Sequence, residues 1–188
     1  MKLILTRHGR TIENNQKILQ GHMPGRLTHE GIMQAKKLAR RLRDEQIDVI
    51  YSSDLKRAAD TTKEIVKFHK GVPVFYVEEL RERNLGSLQG MQTNRINWKK
   101  TPKDVETLSA MKKRMAGFLD KVYKKHKGEI VIFVTHGGIG RSLLTVIERK
   151  PAKSIFEIPK MKNTGVYIIE ILENKKPKIL LQNCTKHL

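Results

Sequence analysis

A chain of 188 residues with 38% hydrophobic and 5% aromatic content can bury one mainly aliphatic core. Its single cysteine, Cys184, excludes an internal disulfide and a multi-cysteine metal site. The net charge of +19 invites an anionic partner. The 25 lysines and 13 arginines are spread along helices, however, and densest at KKLARRLR (36–43) and KVYKKHK (121–127). Solvated surface is therefore a better reading than a nucleic-acid footprint, and no zinc-finger or aromatic RNA-reading motif accompanies the charge.

In chain order, residues 2–6 form a continuous apolar run, the pattern of a strand buried on both faces, and this predicted strand delivers Arg7, His8 and Gly9. Thr28 caps a predicted helix carrying Ile32, Ala35, Leu38, Ala39 and Leu42 at helical spacing. A second strand spans 48–52, and Ser53-Asp54 reads as the cap of a helix through Val66, with Gly71 ending that segment. Residues 73–77 make a third strand. The stretch 84–103, with two glycines, Trp98 and Pro102, reads as a loop or lid. A long amphipathic helix runs from Val105 to Val122. The strand at 130–134 is followed by Thr135-His136-Gly137-Gly138 and a helix through Ile147, and two last strands fall at 166–172 and 179–181. His22, His29, His69 and His126 read as surface residues. No apolar run reaches the roughly 20 residues that span a bilayer. The apolar start is too short for a signal-peptide core, so a cytoplasmic location is expected.

Strands alternating with helices predict one α/β domain over 1–188, a three-layer sandwich with a mostly parallel central sheet flanked by helices. Ligands in such sheets sit beyond the carboxyl ends of the strands. Those ends carry Arg7 and His8, Ser53 with Arg57 one turn later, Glu82, and His136. The set suits phosphoryl transfer, which needs cations around the phosphate oxygens, an in-line nucleophile and an acid for the leaving oxygen. Arg7 and Arg57 offer planar forks. His8 can attack as neutral imidazole. Gly9 avoids crowding the backbone there. His136 can donate to the developing charge, and Glu82 can act as acid and then base. The N–H groups near Gly137 and Gly138 open a helix and form a ready anion site. Singly, each residue is more often structural; together they point to a site that needs neither metal nor cofactor.

Several motifs together resemble the histidine phosphatase, or phosphoglycerate mutase-like, superfamily. These are LTRHGRT (5–11), GRLTHEGIMQA (25–35), SDLKRAADT (53–61), LRERNLGSLQG (80–90), VTHGG (134–138) and the tail NCTKHL (183–188). The resemblance implies the phosphoglycerate mutase-like fold, with His8 as the nucleophile that becomes phosphorylated and Glu82 as proton donor. It implies Arg7, Arg57 and His136 in the phosphate pocket and Asn14 as a further phosphate contact. Two departures stand out. Arg10 follows the RHG where relatives carry an acidic residue or Gln, and PGRLT (24–28) lacks the family's aspartate. Arg10, Gly21 and Arg26 are therefore candidates for substrate choice, toward a second anionic group. The resemblance implies a phosphatase acting on a small phosphorylated metabolite, in a monomer or homodimer. The ending L-Q-G at 88–90 keeps a cofactor-dependent mutase open, and the basic surface keeps an acidic or nucleic-acid partner open.

Overall fold

The computed structural model describes residues 1–98, 100–173 and 177–188. Its centre is a six-stranded sheet. In chain order the strands are β1 (Lys2–Arg7), β2 (Val49–Ser53), β3 (Val74–Val77), β4 (Ile130–Thr135), β5 (Val166–Glu170) and β6 (Lys178–Cys184). Spatially they run β3-β2-β4-β1-β5-β6. The first four are mutually parallel; β5 and β6 add an antiparallel edge. The helices are α1 (Ile12–Asn15), α2 (His29–Leu42), α3 (Lys56–Val66), α4 (Leu108–Lys125) and α5 (Gly137–Ile147).

The central strands are continuously apolar through their middles, at 3–5, 49–51 and 130–134, because helices cover both faces. On one face Leu3, Leu5, Tyr51, Val131 and Phe133 pack against α4 and α5 through Met115, Phe118, Leu143 and Ile147. On the other, Ile4, Ile50, Ile132 and Val134 meet Leu38, Leu42 and Ile65 of α2 and α3. These are the three layers the alternation of elements predicts. No helix among the described residues is long and apolar enough to cross a membrane.

The structure corrects three readings. Ser53-Asp54 does not cap α3: the N-cap is Leu55, with no side-chain cap bond. Ser53 instead ends β2, its Oγ accepting from Leu55 N at 3.2 Å. Asp54 pairs with Arg81, accepting from its Nε at 2.8 and 3.0 Å. His69 and His126 are buried rather than exposed, His126 standing between Tyr51 Oη at 2.9 Å and Glu129 Oε2 at 2.7 Å. Val105 precedes α4 and joins Leu85 and Leu88 in a small satellite core beneath the 84–103 stretch. Within that stretch lie short 3-10 turns at Gly86–Leu88 and Thr93–Arg95.

Gly9 and Gly31 let the amino end of α2 lie directly on the segment that follows β1. A Cβ on Gly9 would stand 2.3 Å from the Gly31 carbonyl oxygen, and one on Gly31 would stand 2.0 Å from that of Arg10. Crowding at Gly9 therefore comes from α2. Overpacking of this kind costs about 1–3 kcal/mol. Gly31→Ala should lower the free energy of urea unfolding by about that amount; a change within about 0.5 kcal/mol would show that the contact yields freely.

Candidate active site

The parallel register sets Arg7 beside Thr135, so the next residues, His8 and His136, emerge together at the carboxyl edge. His8 N donates to Thr135 O at 3.0 Å, and the two imidazole centroids lie 5.1 Å apart. The ring of His8 is fixed by its own turn: Nδ1 lies 2.7 Å from Gly9 O. A carbonyl only accepts, so Nδ1 carries the hydrogen and Nε2 keeps its lone pair. Burial, then the charges of Arg57 and Arg7, hold the His8 pKa well below the usual imidazole range. The ring is therefore the neutral imidazole that a nucleophile requires.

Arg57 is 1% exposed, and burial above all pulls its pKa down to about 10, which leaves it charged at neutral pH. Its Nε donates to His136 Nδ1 at 3.1 Å, Nη2 to Gly21 O at 2.8 Å, and Nη1 to Met23 O at 2.5 Å. Because a guanidinium only donates, His136 Nδ1 is an acceptor and the ring hydrogen lies on Nε2, 2.8 Å from Ser53 Oγ. Burial and Arg57 hold the His136 pKa well below normal. His136 thus orients Arg57 here, its hydrogen aimed at Ser53 instead of the cleft, a different immediate task from the donor role read from sequence. Arg7 donates from Nη1 to Met161 O at 2.8 Å, while its buried Nε has no partner among the described residues. A buried cationic N–H left open in this way fits an anionic oxygen.

Glu82 follows the 3-10 turn Glu78–Leu80 that leads out of β3. Its carboxylate accepts from Gly138 N and Ile139 N at 2.9 Å and from Arg83 N at 2.9 Å. The amino end of α5 is therefore capped by Glu82 at Gly138 and Ile139, which corrects the reading of Gly138 as part of an open anion site and leaves that of Gly137 untouched. Gly138 must be glycine for this, since a Cβ would lie 2.6 Å from Glu82 Oε1. His22, read as a surface residue, is partly buried and its Nε2 donates to the Glu82 carbonyl at 2.8 Å. No spacing signal in the sequence links His22 to Glu82; the contact joins residues 60 apart.

These groups meet in a cleft of about 1190 Å³ lined by Arg7, His8, Asn14, Gly21, Arg57, Glu82 and Gly138; the buried His136 and the partly exposed Gly137 are not among the lining residues. Asn14 closes a capping box with Thr11 at the start of α1, and its Oδ1 accepts from Asn163 Nδ2 at 3.4 Å. Gly21 lines the cleft as backbone: φ is +51°, and a Cβ would meet Gln89 Oε1 at 2.3 Å. Arg10 and Arg26 are not among the lining residues. Arg10 pairs with Glu30 at 3.0 Å, and Arg26 is exposed. Besides Arg7 and Arg57, the cations that face the cleft are Lys17, Arg83, Lys103, Arg141 and Lys160. Trp98, Pro102 and Phe156 add apolar wall.

A family model described as the histidine phosphatase superfamily (branch 1) matches residues 3–185. Among curated proteins, the chain is 34% identical to the metal-independent phosphoserine phosphatase of Arabidopsis thaliana, over 93% of this chain and 78% of that one. It is 32% identical to phosphoglycerate mutase-like protein 4 of the same plant, over 100% and 86% of the two chains. Among solved structures, YhfR of Bacillus stearothermophilus superposes with a TM-score of 0.91 at 27% identity, covering 99% and 98%. A phosphoserine phosphatase of Entamoeba histolytica, solved with phosphoserine, superposes with 0.88 at 27% identity, covering 100% and 98%.

The two depressed imidazoles set a stability trend. Unfolded, His8 and His136 would take up protons below about pH 6.5; folded, they resist doing so. Their share of stability is whole above about pH 6.5 and falls as pH drops below it, by roughly 1.4 kcal/mol per pH unit for each ring. The melting temperature should therefore fall between pH 7 and pH 5, and less steeply in His8→Gln. Identical slopes in the two proteins would refute the buried neutral state of His8.

Proposed function

The chain belongs to the histidine phosphatase superfamily, and from that premise we propose that it is a metal-independent phosphatase of small phosphorylated metabolites that works through phosphohistidine at His8. The observation that carries this reading is the Nδ1–H bond of His8 to Gly9 O, which leaves Nε2 as a fixed, unprotonated nucleophile in a cationic cleft. The phosphate sits against Arg7, whose Nε supplies an unused donor, and beside Arg57. Nε2 attacks phosphorus as the P–O ester bond breaks, and Glu82 gives its proton to the departing oxygen. Water then attacks the phosphohistidine, Glu82 takes its proton, and the P–N bond breaks to release inorganic phosphate. The lining by Leu85, Thr93, Trp98 and Pro102 supports the reading of this part of the chain as a loop or lid at the cleft. Gln89, the residue that favours a mutase in the sequence, bonds His22 N at 2.6 Å and is not among the lining residues, so it gives that reading no contact with substrate.

The cleft also speaks to the substrate. Arg7, Arg57, Arg83 and Arg141 all take electrostatic support from Glu82, with Glu13 adding to it at Arg57 and Glu106 at Arg83. Arg141 is half-buried, spends Nη1 on Ile155 O at 3.3 Å, and forms no ion pair among the described residues. It is placed to receive a carboxylate, the role that the sequence reading gave to Arg10 and Arg26. Relatives named for phosphoserine support such a substrate.

Hydrolysis of 4-nitrophenyl phosphate should persist in excess chelator, vanish in His8→Ala, and leave acid-labile phosphate on the protein in Glu82→Gln. Metal dependence, or activity in His8→Ala, would overturn the mechanism. Arg141→Gln should lower kcat/KM for phosphoserine about tenfold more than for phosphoethanolamine, as loss of one charge-assisted bond requires. An equal fall for both would remove Arg141 from substrate choice.

A further inference from the structure

The tail motif NCTKHL has no part in the chemistry above, yet its side chains reach the back of the active site. We propose that Asn183 is a positioning residue which, with His187, clamps the turn at 160–165 and thereby fixes Arg7 and His8. The proposal rests on the reading of Arg7 and His8 as the phosphate-binding and phosphoryl-accepting groups.

The turn touches the site at three points. Met161 O accepts from Arg7 Nη1 at 2.8 Å, Thr164 N donates to Arg7 O at 2.9 Å, and Asn163 Nδ2 donates to His8 O at 2.9 Å. These contacts hold both the guanidinium of Arg7 and the main chain that carries the nucleophile. The turn does not hold this shape by preference. Thr164, a β-branched residue, stands at φ +53°, in the left-handed region that such residues avoid, and must be kept there by its surroundings.

Asn183 supplies the restraint from both sides of Met161. Its Oδ1 accepts from Lys162 N at 2.9 Å, and its Nδ2 donates to Lys160 O at 3.0 Å. An amide is the side chain that offers one acceptor and one donor at this spacing, and Asn tolerates the left-handed φ of +46° found here. Gly165 makes room for it, since a Cβ there would lie 2.5 Å from Asn183 Oδ1. His187 Nε2 lies 3.2 Å from Thr164 Oγ1 and secures the other end of the turn. Met161, 1% exposed, is wedged against α5, where a Cβ on Gly140 would meet its Sδ at 2.3 Å. Its carbonyl therefore has little freedom to follow Arg7 if the clamp is released.

The test is binding of inorganic phosphate by titration calorimetry, with melting temperature recorded alongside. Asn183→Asp keeps shape and acceptor but sets a carboxylate oxygen against Lys160 O, while Asn183→Gly keeps the left-handed backbone and loses both bonds. Both should weaken phosphate binding about tenfold, since a displacement of about 1 Å costs up to a hundredfold. As pH falls, the introduced carboxyl gains a proton it can donate to Lys160 O. The Asn183→Asp deficit relative to wild type should then narrow, while that of Asn183→Gly stays constant. Phosphate affinities within twofold of wild type in both variants, whatever their melting temperatures, would overturn the clamp. Wild-type protein that binds phosphate without hydrolysing aryl phosphates would instead overturn the phosphatase reading and leave the clamp supported. Wild-type protein that neither binds phosphate nor hydrolyses aryl phosphates would overturn both.

Discussion

The parallel pairing of β1 with β4 is the constraint from which the rest of the site follows. Register in a sheet buried on both faces is strongly fixed, because a one-residue slip would turn every side chain to the opposite layer. With Leu3, Leu5, Val131 and Phe133 committed to one layer and Ile4, Ile132 and Val134 to the other, Arg7 can lie only beside Thr135. Both strands then run out at the same edge, and two histidines separated by 128 residues stand ring to ring. The core is thus the device that sets the distance between reactive groups.

Around that edge the structure concentrates positive charge at a cost. Burial depresses the pKa of Arg7, Arg57 and His8; Arg141 and Arg10 add to it at Arg7, Arg7 adds to it at Arg57, and both Arg57 and Arg7 add to it at His8. In a folded protein such repulsion persists only where something offsets it. Glu82 supplies part of the offset and carbonyls of the Gly21–Met23 loop another part. An anionic substrate completes it. Burial first and the same field second keep His8 unprotonated, so the charge that attracts an anion also favours the state that the proposed nucleophile needs.

Much of this was legible in sequence where a local rule applied. Apolar runs located β1 and β4, helical spacing located α2 and α4, and the rule that ligands sit beyond strand ends gathered Arg7, His8, Arg57, Glu82 and His136 before any geometry was known. The failures share a cause. The open helix terminus at Gly137 and Gly138 was a sound local inference, but Glu82 arrives from 56 residues away to take Gly138 N. Arg10 and Arg26 border the motif in sequence, yet Glu30 pairs with the first and solvent takes the second. His22 and Arg141 lie far from Glu82 in sequence, yet the first bonds its carbonyl and the second feels its charge.

What the sequence by itself determined is the inventory and the scaffold: an aliphatic α/β sandwich, a set of cationic and imidazole side chains at strand ends, and the family that such motifs denote. Periodicity and strand polarity are properties of neighbouring residues and can be read without folding. What only the tertiary structure decided is the assignment of each group: which nitrogen of His8 is bare, that His136 serves Arg57, that Glu82 caps α5, and which arginines face the cleft. The His8 bond lies within one turn; the others join residues tens of positions apart, each fixed by the direction in which a donor can point. Hydrogen-bond direction belongs to the folded chain alone.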